Sequence, residues 1–420
     1  MTTPVPISAN PGGRRLRTLD QSSKLKNVLY EIRGAALDEA ARLEAAGHTV
    51  LKLNTGNPAI FGFEAPYQIV RDMIAAVPTS HGYSESRGIL AARRAIVSRY
   101  EEIPGFPQVD PENVYLGNGV SELITMTMQA LLDQGDEVLI PAPDYPLWTA
   151  MASLSGGSPV HYVCDENNGW NPDLEDIRSK ITERTKAIVI INPNNPTGAV
   201  YSRETLEGIA DIAREHSLLV LSDEIYDRIL YDEAQHIPMA TVAPDLLCLT
   251  FNGLSKTYRV AGYRSGWMVI TGPQKHAKGF LEGITLLAST RLCPNVPAQH
   301  AVLAALTGVQ TIDSLVAPSG RLLEQRDVTW EKLNEIPGVS CVKAQGSLYA
   351  FPRLDPEVHE IRDDAKLVYD LLVAERILLV QGTGFNWPTP DHLRIVTLPE
   401  ARVLGEAIER LGNFLSSYRQ

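Results

Sequence analysis

Cysteine is scarce: the 420 residues hold four, Cys164, Cys248, Cys293 and Cys341, with no C-x-x-C pair and no metal-ligand spacing. That excludes a disulfide-built scaffold and reads as reduced thiols in a cytoplasmic protein. The nine histidines include no H-E-x-x-H, so no metal is expected. No stretch approaches the ~18 consecutive apolar residues that cross a bilayer, so no membrane partner is expected either. Positive charge is in deficit, 38 Lys and Arg against 50 Asp and Glu for a net charge of -12. Such a balance argues against nucleic acid or an anionic membrane as partner. An acidic chain that binds an anion must do so through particular Arg and Lys residues. Internal repeats and low-complexity segments are also lacking. Arg14-Arg15 superficially resembles a twin-arginine export signal, but no apolar run follows it, and a polar arm is the expected reading.

What is present is a globular composition, 44% hydrophobic and 21% charged, on a chain long enough for two domains. Helix-type apolar spacing covers 24–47 and ends at Gly47. A short strand at 50–53 comes next, then the turn Thr55-Gly56-Asn57-Pro58. From about Ala65 helices alternate with short apolar strands, expected at 113–116, 137–141, 186–192, 218–222, 246–252 and 266–270. Helices are expected at 122–132, 204–216, 299–306 and 314–336, and shorter strands at 348–352, 377–381 and 393–397. Alternating strands and helices imply an α/β fold with a mostly parallel sheet and helices on both faces. The expected organisation is an arm (1–23), a first part of a small α+β domain (24–64), a large domain (65–310) and the rest of the small domain (311–420).

In parallel sheets ligands bind beyond the carboxyl ends of the strands. Those ends carry Gly117-Asn118-Gly119-Val120-Ser121, Ala142-Pro143-Asp144-Tyr145, Asn192 to Gly198, Ser222-Asp223-Glu224-Ile225-Tyr226 and Asn252-Gly253-Leu254-Ser255-Lys256. One rim thus gathers a glycine turn opening a helix, aromatic rings, an amide, a carboxylate, a hydroxyl and a lysine. The set suits a ligand that is anionic at one end and a flat polar ring at the other. The glycine turn is a near miss to the dinucleotide fingerprint, since Glu122 replaces the third glycine and no acidic residue sits at the end of the next strand, with Asp136 and Glu137 at its start instead. A phosphate on the N–H groups of Gly119, Val120 and Ser121 fits better, although an ordinary strand-to-helix turn would look the same. Arg264 can fork onto that phosphate.

Gly253-Leu254-Ser255-Lys256 with Arg264 eight residues on resembles the lysine signature of the class I pyridoxal-phosphate aminotransferases, a fold-type-I family. Asn192 to Gly198 resembles their N-P-x-N-P-T-G loop, and Asp223 to Tyr226 their ring-binding strand end. Order and spacing agree from about Leu25 to the C-terminus. The resemblance implies pyridoxal 5′-phosphate as cofactor, held as a Schiff base on Lys256, which also shuttles the proton. It assigns Asp223 to the ring nitrogen, Asn195 and Tyr226 to the phenolic oxygen, Tyr145 to stacking on the ring, and Ser255 and Arg264 to the phosphate. Arg394 would take the substrate carboxylate, with Gly56 and Asn57 closing the site. Tyr83 would reach the phosphate of a neighbouring subunit, which implies a homodimer. Read alone, several of these have plainer roles: Asp223 a helix cap, Asn195 a turn, Tyr226 and Tyr145 core, Tyr83 surface. Pro196 is a candidate cis proline.

Three positions depart from the family's pattern. Arg259 stands where small or aliphatic residues are usual, Ser265 where an apolar one is, and Gly253 where some relatives place a phosphate-binding serine. The stretches 258–264 and 291–299 are most similar to bacterial alanine (glutamate–pyruvate) transaminases, with small amino acids and 2-oxo acids as the implied partners. Arg291 falls near the position from which aspartate transaminases read a distal carboxylate across the dimer; it would serve glutamate and 2-oxoglutarate here or be structural, so aspartate or broad specificity is the close alternative. A lyase on the same scaffold is a further one. A non-catalytic sensor would carry an appended DNA-binding domain, for which the short polar start leaves no room.

Overall fold

A computed structural model describes residues 19–25, 28 and 34–420. Most of the expected arm, and residues 26–27 and 29–33 of the helix expected from residue 24, lie outside the described residues; of the rest, Ser23–Leu25 is a single 3-10 turn and Ala35–Ala45 is the helix.

The central sheet has eight strands: β1 (Val114–Gly117), β2 (Glu137–Ala142), β3 (Ser158–Asp165), β4 (Asn171–Pro172), β5 (Thr185–Ile191), β6 (Leu219–Asp223), β7 (Cys248–Gly253) and β8 (Gly266–Thr271). They lie in the order β1-β8-β7-β6-β5-β2-β3-β4. β7, β6, β5, β2 and β3 pair in parallel, whereas β8 runs antiparallel to both its neighbours and β4 antiparallel to β3. The sequence expectation lacked β3 and β4. β3 is only partly buried along its length, so it lacks the unbroken apolar run that marks a strand covered on both faces.

Alternation along β5 shows why the sheet is covered twice. Ile188 and Ile190 face Leu206, Ile209, Ala210 and Ala213 of helix Arg203–His216. Val189 and Ile191 face the other side, with Leu123, Ile124 and Met128 of helix Val120–Leu131. The former helix begins where Ser202 Oγ accepts from Thr205 N at 3.1 Å, a cap worth ~1 kcal/mol. It ends at Ser217, whose φ of 54° breaks the helical run.

A second, smaller α+β unit is built from both chain ends. Leu51–Lys52 pairs in parallel with Ile377–Leu378, and Leu43 and Leu53 share one apolar core with Leu333, Leu371, Leu404 and Leu411. Tyr349–Ala350, Leu393–Val396 and Val380–Gln381 form a three-stranded antiparallel sheet whose central strand carries Arg394. The helix expected at 314–336 is two helices, Asp313–Val316 and Arg321–Asn334, because Pro318 and Gly320 interrupt it.

Candidate active site

The ends of β1, β5, β6 and β7 meet the small unit around one cavity of about 340 Å³, within the range of small-molecule sites. Its walls include Gly56, Val120, Ser121, Tyr145, Asn195, Asp223, Tyr226, Ser255, Lys256, Arg264 and Arg394. Eleven residues singled out on separate segments of the sequence therefore share one enclosure.

One end is cationic. Helix Val120–Leu131 starts there after Gly119, and the first N–H groups of a helix have no partner inside it. Arg264 Nη2 donates to Ser121 Oγ at 3.1 Å and Nη1 to Ala261 O at 3.0 Å. The helix start, the hydroxyl and the guanidinium make a cradle for an anion. Asn118 secures the turn by donating from Nδ2 to Glu122 Oε1 at 2.9 Å.

Another part of the cavity carries a buried carboxylate. Asp223 Oδ2 accepts from Trp148 Nε1 at 3.1 Å and Oδ1 from Ile225 N at 3.3 Å. Burial pushes Asp223 up to about 6, against the hydrogen bonds from Trp148 and the Ile225 backbone. A carboxyl in this state gains by sharing a proton with a basic ring nitrogen.

Lys256 lines the same cavity; its Nζ donates to Gly56 O at 2.7 Å and stands 6.0 Å from the Tyr226 ring centre. Asn195 Oδ1 accepts from Arg394 Nη1 at 3.3 Å. The Arg394 guanidinium also donates to Asn54 O, and its carbon lies 4.6 Å from the ring centres of both Tyr349 and Phe385. The Asn195-Pro196 peptide is cis.

Four sequence candidates do not line the cavity. Gly119 lies just before the helix start. Asn57 caps the turn Pro58–Phe61 by accepting from Ala59 N at 3.3 Å. Tyr83 is 82% exposed. Arg291 is turned into its own chain, donating to Ser86 O at 3.1 Å and Leu116 O at 2.7 Å and pairing with Glu122 at 3.1 Å.

Sequence reasoning missed Tyr349, Phe385 and Trp148. Tyr349 sits in a short apolar stretch that reads as core and Phe385 in the run Gly382-Thr383-Gly384-Phe385-Asn386, and only the fold brings them to Arg394. Trp148 lies three residues after Tyr145 on the same segment, a spacing that could have placed both near one ligand. Among the described residues no group of three or more His, Cys, Asp or Glu is arranged for a metal ion, and no helix is long and apolar enough to cross a membrane.

The residues present fit pyridoxal 5′-phosphate: an anion cradle, a buried carboxyl poised to protonate a ring nitrogen, an amine on the same cavity, and Tyr145 on the wall.

Residues 48–411 match the profile of a family described as aminotransferase class I and II. The chain is 70% identical over 407 residues to the alanine aminotransferase of Mycobacterium tuberculosis, covering 97% of this chain and 95% of that one. It is 60% identical over 402 residues to the glutamate-pyruvate aminotransferase AlaA of Escherichia coli, covering 96% and 99%. Among solved structures, an aminotransferase from Escherichia coli superposes with a TM-score of 0.95 at 59% identity, covering 96% of this chain and 100% of that one.

Proposed function

The chain belongs to the class I and II aminotransferases, and on that basis we propose that it transfers the amino group of L-alanine to 2-oxoglutarate, giving pyruvate and L-glutamate in two half-reactions with pyridoxal 5′-phosphate. The names of the two relatives support the choice of alanine. The observation that carries the chemistry is the gathering of Lys256, Asp223, Asn195, Tyr226, Arg264 and Arg394 on one cavity.

When bound, the cofactor supplies an electrophilic carbon for the amine and a ring that accepts the electrons of the substrate's Cα–H bond. The chain's residues do the rest. Gly119, Val120, Ser121 and Arg264 would hold the phosphate, with Ser255 beside them. Asp223, kept in place by Trp148, would hold the proton on the ring nitrogen. Asn195 spends its oxygen on Arg394, which frees its amide N–H group for the ring oxygen that Tyr226 also addresses. Tyr145 would lie against the ring face. Arg394 would take the α-carboxylate and so fix where the Cα–H bond points. Lys256 Nζ would take and return the proton at Cα.

We read the same boundaries as from sequence, with the small domain from 24–64 and 311–420 around a large domain 65–310. Tyr83, exposed alongside Tyr67 and Ile60, supports a homodimer in which it reaches the partner's phosphate site. Four free thiols support a cytoplasmic location. Arg291 is held by Ser86, Leu116 and Glu122 of its own chain, and a reach across the dimer is what the aspartate alternative would ask of it. Comparing kcat/KM for alanine and aspartate with 2-oxoglutarate tests the proposal; a strong aspartate preference contradicts it. Pyruvate and ammonia without an acceptor would mark a lyase instead.

A further inference from the structure

Tyr349 is a buried phenol on the cavity wall that the proposed function leaves without a task. Its hydroxyl lies 2.8 Å from that of Tyr226, and the two rings meet edge to face with centres 5.9 Å apart. The face of the Tyr349 ring is turned to Arg394, whose guanidinium carbon is 4.6 Å from its centre and equally 4.6 Å from that of Phe385. Gly56 makes room for this hydroxyl, because a β-carbon at Gly56 would overlap it.

We infer that Tyr349 is a positioning residue with two separable ends: its hydroxyl polarises Tyr226, and its ring, with Phe385, aligns Arg394 for the substrate carboxylate. When Tyr226 donates to a ligand oxygen, its own oxygen must take a hydrogen bond from elsewhere, and the Tyr349 hydroxyl is the donor at 2.8 Å. A phenol that accepts such a bond is a stronger donor in turn. The charged and titratable groups facing the pair are Lys256, Arg394 and Tyr145. Burial pushes Tyr349 up, but the charges of Lys256 and Arg394 and hydrogen bonds with Tyr226 and Lys256 outweigh it and hold the phenol below its ordinary value. An acidified phenol is the better donor to Tyr226. Two rings packed against a guanidinium restrict the tilt of its plane and so the direction in which its N–H groups point.

The inference rests on the aminotransferase reading. Its test is a pH titration of the holoenzyme's visible band together with the binding of propionate, which has alanine's carboxylate and no amine to react. Tyr349→Phe removes one hydrogen bond and keeps the ring. It should raise the midpoint of the band by roughly half to one pH unit, in the same direction as Tyr226→Phe, and leave the propionate Kd within about twofold. Tyr349→Leu should weaken propionate roughly three- to thirtyfold. If that variant does not fold, Phe385→Leu, which leaves the hydroxyl pair intact, tests the same clamp. A residue that only fills the core would lower the melting temperature of Tyr349→Phe and leave the midpoint where it was, and that result overturns the hydroxyl's role. Unchanged propionate binding without the ring overturns the clamp. If the wild type shows no band that titrates, the aminotransferase reading itself fails, which is a different outcome.

Discussion

Asp144 lies beside the site with no exposed surface. Its Oδ2 accepts from Thr149 Oγ1 at 2.6 Å and its Oδ1 from Asn386 Nδ2 at 2.8 Å, while its backbone N–H donates to Phe385 O at 3.0 Å. The basic group beside it, His161 at 4.0 Å, is held down to about 4 by its own burial and by Lys180, so it is neutral at neutral pH. Burial therefore dominates and pushes Asp144 from an ordinary 3.8 up to about 7, against the bonds from Thr149 and Asn386. Between those values the folded chain holds a proton that the unfolded chain has released. The stability this carboxyl contributes is complete below pH 3.8 and is lost as the pH rises through about 7. Asn at this position keeps the contacts: Oδ1 accepts from Asn386, Nδ2 donates to Thr149 Oγ1, and the Thr149 hydrogen turns to His161 Nε2, 2.9 Å away. At about 1.36 kcal/mol per pH unit, Asp144→Asn should gain roughly 3 kcal/mol on the wild type between pH 5 and pH 8. Most of that gain should fall below pH 7, with a plateau above it. Urea unfolding of the holoenzyme at fixed protein and cofactor concentration, one curve per pH, measures it. Wild-type and variant stabilities that change in parallel across this range would refute the reasoning.

Single contacts set the other expectations. Trp148→Phe removes the 3.1 Å donor to Asp223; a bond to a charged group is worth ~1.5–3 kcal/mol, so kcat/KM for alanine should fall roughly ten- to a hundredfold with the alanine KM little changed, and unchanged kinetics would discount the contact. Arg264→Ala strips the cradle of its cation, and cofactor affinity, read by quenching of protein fluorescence, should fall at least roughly tenfold. Gly56→Ala would push on the Tyr349 hydroxyl, costing about 1–3 kcal/mol; an unaltered melting temperature would show that the wall yields.

Much of the site was legible because its residues sit at the ends of apolar strands, where the pattern marks both the strand and the residues just past its end. Asp223, closing β6, and Lys256, after β7, are of this kind. The small unit was harder to read. Its strands are two to four residues long, too short for alternation to separate a wall of the site from core, and so Tyr349 went unseen; Phe385 ends the single turn Gly382–Phe385, which has no periodicity to read. Two of the three departures from the family's pattern, Arg259 and Gly253, have physical reasons. Arg259 adopts a φ of 58° and donates to Glu64 O at 3.1 Å, Thr257 O at 3.2 Å and Thr311 Oγ1 at 2.5 Å, tying the Lys256 loop to two distant segments. Gly253 packs so closely on Gly266 that a β-carbon there would lie 2.8 Å from its Cα, so a serine does not fit without a shift of β8. Ser265 is buried, and its carbonyl accepts from Leu254 N at 3.0 Å, a backbone role open to many side chains.

Everything proposed for the site turns on Lys256 being the amine that holds the cofactor. Borohydride reduction of the reconstituted holoenzyme, with peptide mass spectrometry of the product, locates that amine without relying on turnover. The pyridoxyl phosphate mass should appear on the peptide containing Lys256, and Lys256→Ala should show neither the visible band nor the adduct. An adduct on another lysine, or none in a protein that still transaminates alanine, would contradict the assignment.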